Sequence, residues 1–197
     1  MKAIVLNCTL KKSPDQSNTA LLAGEVISGL EERGVECETL RLVDMNVLPG
    51  VSSDEGNGDE WPGVREKILA SDIVVLATPT WLGHASSVAR RALERMDAML
   101  SEQNEAGQMI AYNRVAGFVV TGNEDGAKSC ISEMASAMVE VGFTVPPLAW
   151  TYWNMGPGPE YPDTDHGKEW SRTTARTCAH NLFHVARALH ENPIPAE

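Results

Sequence analysis

The chain alternates between short apolar runs and longer segments whose apolar residues recur every three or four positions. Three of the apolar runs are almost continuous Val, Ile, Leu, Ala and Phe, which is typical of strands covered on both faces. A fourth run alternates apolar and polar residues, as an edge strand does. The pattern therefore predicts five strands, at 2–8, 36–43, 72–79, 115–122 and 144–150.

Amphipathic helical spacing lies between these strands and after the last one. The helical stripes cover residues 20–30, 85–100, 131–139 and 178–189. Strands that alternate with helices predict a parallel sheet with right-handed crossovers and helices on both faces. We therefore expect an α/β fold with a doubly wound, five-stranded parallel sheet in the order 2-1-3-4-5. We expect residues 1–197 to form one domain.

In this topology, ligands bind at the carboxyl ends of the strands, near the point where the strand order reverses. The loops after residues 8, 79 and 122 are therefore the ones to examine. Two further segments, 44–63 and 154–167, are irregular and rich in Gly, Pro and acidic residues. Loops of this length are usually functional or mobile. The acidic part, 52–60, is predicted to be a solvated excursion.

The first loop, TLKKSPDQSNT at residues 9–19, is longer than the roughly 2–6 residues of a plain strand-to-helix connection. Ser17 is a good N-cap for the helix that follows. Hydroxyls and free N–H groups at a helix N-terminus suit an anion. The groups that can donate to a phosphate are Thr9, Ser17, Asn18 and Thr19, and Lys11 or Lys12 can add positive charge. A capped polar loop without a ligand explains the same residues equally well.

The second and third loops can approach a flat ligand. TPTWLG offers backbone amides and an apolar wall through Pro79, Thr80, Trp81, Leu82 and Gly83. TGNEDGA turns tightly and presents Thr121, Gly122, Asn123, Asp125 and Gly126. Each loop alone is also consistent with an ordinary turn. The convergence of all three at one end of the sheet is the stronger signal.

Composition narrows the classes of function. The net charge of −11 argues against nucleic acid or an anionic membrane as a partner. No apolar stretch approaches the roughly 20 residues of a membrane span, and no signal-peptide pattern is present, so we expect a cytoplasmic protein. The four cysteines are scattered without metal-type spacing, and His180 and His184 lack further ligands, so we expect no metal site.

The three loops together resemble those of the flavodoxin-like NADPH-dependent FMN reductases. SNT (17–19), TPTWLG (78–83) and TGNEDGA (121–127) match that family in order and spacing, and the resemblance covers roughly residues 2–150. Residues 44–71 contain no cysteine, so the cluster of the related iron-sulfur flavoproteins is not expected.

The resemblance implies FMN as cofactor, with NADPH or NADH as co-substrate. The first loop would hold the phosphate, the second would pack the isoalloxazine and ribityl groups, and the third would meet the other edge of the ring. The flavin would carry the chemistry, so no catalytic side chain is assigned. Hydride would pass through FMN to a quinone, free flavin or other small acceptor. The family also implies a homodimer or tetramer.

Two alternatives stay open at this point. The acidic surface and the fold also suit a flavodoxin-type electron carrier without a nicotinamide substrate of its own. A binding module that has lost FMN is the third possibility. The aromatic residues Trp150, Tyr152, Trp153 and Tyr161 fit a substrate wall, an interface or plain core packing.

Overall fold

A computed structural model describes residues 1–156, 158, 160–165 and 167–196. The strands are β1 (Lys2–Asn7), β2 (Glu36–Arg41), β3 (Ile73–Trp81), β4 (His84–Ala85), β5 (Val115–Gly122) and β6 (Trp150–Asn154). The α-helices are α1 (Asn18–Glu31), α2 (Trp61–Leu69), α3 (Ser87–Met96), α4 (Ala127–Glu140) and α5 (Lys168–Glu191). Short 3₁₀ turns span 42–44, 97–101 and 161–163.

Five strands pair in parallel in the order β2-β1-β3-β5-β6, and the two-residue β4 pairs antiparallel with the end of β3. Counting only the parallel strands along the chain, this order is 2-1-3-4-5. It is the doubly wound order of flavodoxin-like folds. The predicted fold class is confirmed.

The sheet separates two apolar cores, and β1 shows how the sequence builds both. Ile4 and Leu6 point into one core, whereas Ala3 and Val5 point into the other. Helices α2, α3 and α4 cover the first face, and α1 and α5 cover the second. Both faces of the sheet are therefore covered by helices and shielded from water, which explains why the strand sequences are continuously apolar.

The predicted position of the fifth strand is wrong. The sequence pattern placed it at 144–150, but the strand is Trp150–Asn154. Pro146 and Pro147 cannot donate backbone hydrogen bonds, and Leu148 has a left-handed φ of +50°. The strand begins only at Trp150, after this segment. Its carboxyl end therefore reaches the same edge of the sheet as the ends of β1, β3 and β5.

The sequence pattern also missed α2. Trp61, Val64 and Ile68 have helical spacing and are buried in the core, but this stretch follows directly on a Gly- and Asp-rich segment. Pro62 stands in the first turn of the helix, where its missing N–H costs nothing. Among the described residues, no helix is both long enough and apolar enough to cross a membrane.

Candidate functional site

An open cleft lies at the carboxyl ends of β1, β3 and β5, where the strand order reverses. Its cavity measures about 180 Å³. The predicted site residues that line it are Thr9, Lys11, Asn18, Thr19, Pro79, Thr80, Trp81, Thr121, Gly122 and Asn123.

The remaining predicted residues shape the cleft without lining it. Ser17 is buried, and its Oγ accepts a hydrogen bond from the backbone N–H of Ala20 at 3.1 Å. It therefore caps α1, as the sequence predicts. Leu82, Gly83, Asp125 and Gly126 lie in the turns that follow β3 and β5. The structure thus brings the three loops together. Some of their residues line the cleft, and the others form the turns and the helix cap beside it.

The loop after β1 is held in a fixed shape. The Thr9 side chain is buried, and its Oγ1 accepts a hydrogen bond from the Lys11 backbone N–H at 3.3 Å. Ser13 donates from both its N–H and its hydroxyl to the carboxylate of Asp44. Arg41 donates to the carbonyl oxygen of Asp15 at 2.9 Å. Residues at the end of β2 and just after it therefore anchor the loop from outside the cleft.

The N-terminus of α1 faces the cleft with polar groups. Thr19 Oγ1 and Thr121 Oγ1 are 2.7 Å apart, which joins the helix to the end of β5. The Asn18 side-chain amide donates to Glu160 Oε2 at 3.1 Å, and Lys11 Nζ lies 4.0 Å from the same oxygen. Asn18 Oδ1 is buried and has no hydrogen-bond partner among the described residues. A carboxylate therefore already occupies this anion-suited corner.

The end of β3 supplies the flat wall. The structure extends the predicted strand here, because Thr80 and Trp81 also belong to β3 and not to the loop after it. The short hairpin with β4 extends the strand by pairing Trp81 with His84. Trp81 is 55% exposed, so a ring face remains open to a ligand.

Two glycines let the second and third loops meet. A Cβ on Gly126, whose φ is +126°, would lie only 2.5 Å from Gly83 Cα. A Cβ on Gly122 would lie 3.1 Å from Thr80 Cβ. The close approach of these loops therefore requires glycine at residue 126 and favours it at residue 122.

Several residues of the cleft were not assigned to it from the sequence. Leu10, Trp153, Gly158 and Glu160 also line it. Trp153 was one of the aromatic residues left open between a substrate wall, an interface and core packing; it lines the cleft and also packs edge-on against the buried Tyr161. Its position next to the carboxyl end of the last strand was the signal that could have placed it at the cleft. Nothing in the acidic segment 154–167 distinguished Glu160.

The cysteines next to the cleft do not supply a nucleophile. Burial raises the pKa of Cys8 to about 12, and burial also raises the pKa of Cys130, which lies beside Thr80. Both remain thiols near neutral pH. Within the part of the chain that the structure describes, no group of three or more His, Cys, Asp or Glu residues could hold a metal ion.

The cleft lies at the switch point of the sheet, which is where flavodoxin-like folds bind FMN. The family model for NADPH-dependent FMN reductases matches residues 1–157. The chain belongs to this family. The resemblance found in the three loops is thereby confirmed.

Particular relatives extend this result. The chain is 34% identical to the 8-demethyl-8-aminoriboflavin-5'-phosphate synthase of Streptomyces davaonensis, over 98% of this chain and 80% of that protein. It is 37% identical to the divalent metal cation transporter MntH of Mycobacterium bovis, over 96% of this chain but only 29% of that protein. The chain therefore spans less than a third of that relative's length.

A solved structure resembles the whole described fold. RosB with the bound intermediate 8-demethyl-8-formylriboflavin-5'-phosphate superposes with a TM-score of 0.86 at 35% identity. The match covers 98% of this chain and 82% of the RosB chain.

The cleft residues fit a flavin mononucleotide. An anion-suited helix N-terminus lies at one end, where Lys11 and Asn18 already contact a carboxylate and Asn18 Oδ1 is an acceptor in need of a donor such as a ribityl hydroxyl. Pro79 and the exposed ring of Trp81 lie on another wall of the same cleft. The cleft therefore has groups that suit the phosphate, the ribityl chain and the flat ring of FMN.

Proposed function

We propose that this chain is an FMN-dependent oxidoreductase that takes hydride from NADPH or NADH and passes it to a quinone, free flavin or another small acceptor. Bound FMN would supply the hydride chemistry. The observation that carries the proposal is the single cleft that combines an anion-suited helix end with a flat apolar wall at the switch point of the sheet.

The protein's own role is to bind and orient. The phosphate would be held by Thr9, Lys11, Asn18, Thr19 and the α1 N-terminus that Ser17 caps. Pro79, Thr80 and Trp81 would support the ring and the ribityl chain, on a wall shaped by Leu82 and Gly83. Thr121, Gly122 and Asn123 would meet the other edge of the ring, in a turn completed by Asp125 and Gly126. No side chain needs to act as a general acid for hydride arrival.

Anaerobic reduction tests this proposal. The purified protein, loaded with FMN, is mixed with NADPH or NADH without oxygen, and the flavin absorbance near 450 nm is followed. We expect rapid bleaching, and reoxidation when a quinone is added. Bound FMN that is not bleached by either nucleotide would instead indicate an electron carrier. A protein that gains no flavin absorbance from added FMN would contradict both flavin functions.

A second candidate follows from the 8-demethyl-8-aminoriboflavin-5'-phosphate synthase, whose sequence aligns with nearly all of this chain. In such an enzyme, the flavin phosphate in the cleft is the substrate and its ring is altered. Mass spectrometry of the flavin after many turnovers separates the two functions. Unaltered FMN supports the reductase, whereas a changed ring mass supports flavin modification.

Assembly as a homodimer or tetramer is part of the proposal. Trp81 and Leu82 are adjacent and stand 55% and 88% exposed, so together they form an apolar surface that a second copy of the chain would cover. Light scattering of the purified protein measures the oligomeric state. A monomer at all concentrations would contradict this part of the proposal.

A further inference from the structure

Glu160 occupies the corner of the cleft that the proposed function assigns to a phosphate. Its carboxylate accepts the hydrogen bond from Asn18 Nδ2 at 3.1 Å and lies 4.0 Å from Lys11 Nζ. It also lines the same cavity as Thr9 and Thr19. A side chain of this protein therefore uses the groups that a ligand phosphate would use.

This corner of the cleft attracts one anion, but a carboxylate and a phosphate bound there together would repel each other. The helix N-terminus and Lys11 attract a carboxylate for the same reasons that they attract a phosphate. A phosphate monoester carries about −1.5 to −2 charges near neutral pH. An ionised carboxylate only accepts hydrogen bonds. Glu160 therefore repels a phosphate and cannot donate a hydrogen bond to it.

Glu160 can leave this corner by rotating its side chain. The next residue, Tyr161, is buried and packs against Trp153, which fixes the backbone nearby. The Glu160 side chain itself is 59% exposed, and that of Lys11 is 51% exposed. Contacts between groups this exposed are weak, so a phosphate can displace the carboxylate at a small cost.

We propose that Glu160 is a specificity-determining residue whose carboxylate competes with the ligand's terminal phosphate for Lys11 and Asn18. This inference rests on the proposed function, because it names the flavin phosphate as the competing group. Glu160 thereby lowers the preference of the cleft for FMN over riboflavin, which has the same ring and ribityl chain but no phosphate. It acts on binding and takes no part in the hydride chemistry.

Binding measurements on the flavin-free protein test the proposal. Dissociation constants for FMN and riboflavin are measured from flavin fluorescence in the wild type and in Glu160→Gln. We expect FMN to bind about three- to fivefold more tightly to the variant, with riboflavin unchanged. An unchanged or weaker affinity for FMN would overturn the proposal, and so would an equal gain for riboflavin.

Glu169→Gln is the matched control. It removes the same charge from an exposed side chain in the first turn of α5 that does not line the cleft. We expect this control to leave the FMN affinity unchanged. A gain equal to that of Glu160→Gln would show that only the net charge matters, which would also overturn the proposal.

Inorganic phosphate gives a readout that does not depend on flavin. We expect phosphate to raise the melting temperature of Glu160→Gln more than that of the wild type, and the difference to shrink in the Lys11→Gln background. Equal shifts in the wild type and Glu160→Gln would contradict the competition. If the wild type binds no flavin, the proposed function fails, but this measurement still tests whether Glu160 competes with phosphate.

Discussion

The 44–60 segment and the strand-end cleft are both irregular and polar, but they use their polar groups in opposite ways. In the 44–60 segment, Asp59 accepts hydrogen bonds from the backbone of Leu48, Glu55 and Trp61, and Glu60 accepts one from Asn46. These carboxylates serve as internal scaffolding. At the cleft, by contrast, Asn18 Oδ1 has no partner among the described residues and Lys11 is half exposed.

A buried ion pair fixes the 44–60 segment. Arg95 of α3 and Asp59 are 2.7 Å apart, and both side chains are fully buried. Arg95 also donates to the carbonyl oxygens of Leu48 and Ser52. Burial opposes ionisation of Asp59, but hydrogen bonds from Arg95 and the segment's backbone outweigh it and lower the pKa of Asp59 to about 2. The prediction of a solvated excursion is therefore wrong for Asp59.

This difference separates the long loops of the protein that are structural from those that can bind a ligand. Where acidic side chains accept hydrogen bonds from the backbone of their own segment, they stabilise the loop, and the loop is a structural element. Where polar groups at a strand end lack partners, they are available to a ligand. We therefore expect changes in the 44–60 segment to affect stability, and changes in the cleft to affect binding.

The largest effect is expected for Asp59→Asn. The variant leaves the buried Arg95 charge without its counter-ion, and breaking a buried pair in this way costs about 3 kcal/mol or more. Chemical denaturation should show a loss of unfolding free energy of this size at neutral pH. FMN affinity should change little under conditions where the variant is folded.

The pH dependence sharpens this prediction. The folded-state pKa of Asp59 lies below the ordinary value of 3.8, so its stabilising contribution is present above about pH 4 and is lost as the pH falls towards 2. The stability difference between the wild type and Asp59→Asn should shrink over that range. Asp54→Asn, an exposed site in the same segment, is the control and should cost little. Equal losses in both variants would contradict the role of the buried pair.

The sequence predicted the fold better than it predicted the lining of the cleft. Continuous apolar strands and helical stripes determined the layers and the strand order, because burial on both faces leaves a strong pattern. The site loops were also predictable, since strand ends in a doubly wound sheet converge at one edge. β6 was misplaced because TVPPLA is apolar enough for a strand, although its two prolines prevent regular pairing.

Glu160 and Asp59 show the limit of sequence analysis. Both are acidic residues in irregular segments, and local sequence gives no reason to separate them. Glu160 contacts Asn18, which lies 142 residues before it, and Asp59 is buried against a helix that begins at Ser87. Such long-range pairings are set by how the whole chain packs, so the local pattern carries no signal for them.

In the cleft, the next largest effect is expected for Ser17→Ala combined with Thr19→Ala. The double change removes the cap of α1 and the hydroxyl that joins the helix to Thr121. We expect FMN to bind at least tenfold more weakly, which corresponds to about 1.4 kcal/mol. Isothermal titration of the flavin-free protein measures this change.

The matched control replaces two hydroxyls that do not line the cleft. Among the described residues, the Thr173 and Thr177 hydroxyls donate to carbonyl oxygens within α5, so Thr173→Ala with Thr177→Ala should leave FMN affinity unchanged. Unchanged affinity in the Ser17/Thr19 variant would mean that the loop after β1 is not the phosphate cradle.

The smallest effect is expected for Asp44→Asn, which links the two regions. Asp44 lies at the start of the 44–60 segment and accepts both hydrogen bonds from Ser13 of the loop after β1.

The hydrogen bonds from the Ser13 side chain and backbone lower the pKa of Asp44. The contact between Asp44 and Ser13 is therefore intact above the ordinary carboxyl range, and it weakens as the pH falls through the lowered pKa. We expect Asp44→Asn to weaken FMN binding about threefold, within the range of one ordinary intramolecular hydrogen bond. The lost negative charge by itself would favour phosphate, so Asp15→Asn, an exposed change in the same loop, measures that opposing effect. If Asp44→Asn binds FMN as tightly as Asp15→Asn does, the anchor does not position the phosphate loop, and the two regions act independently.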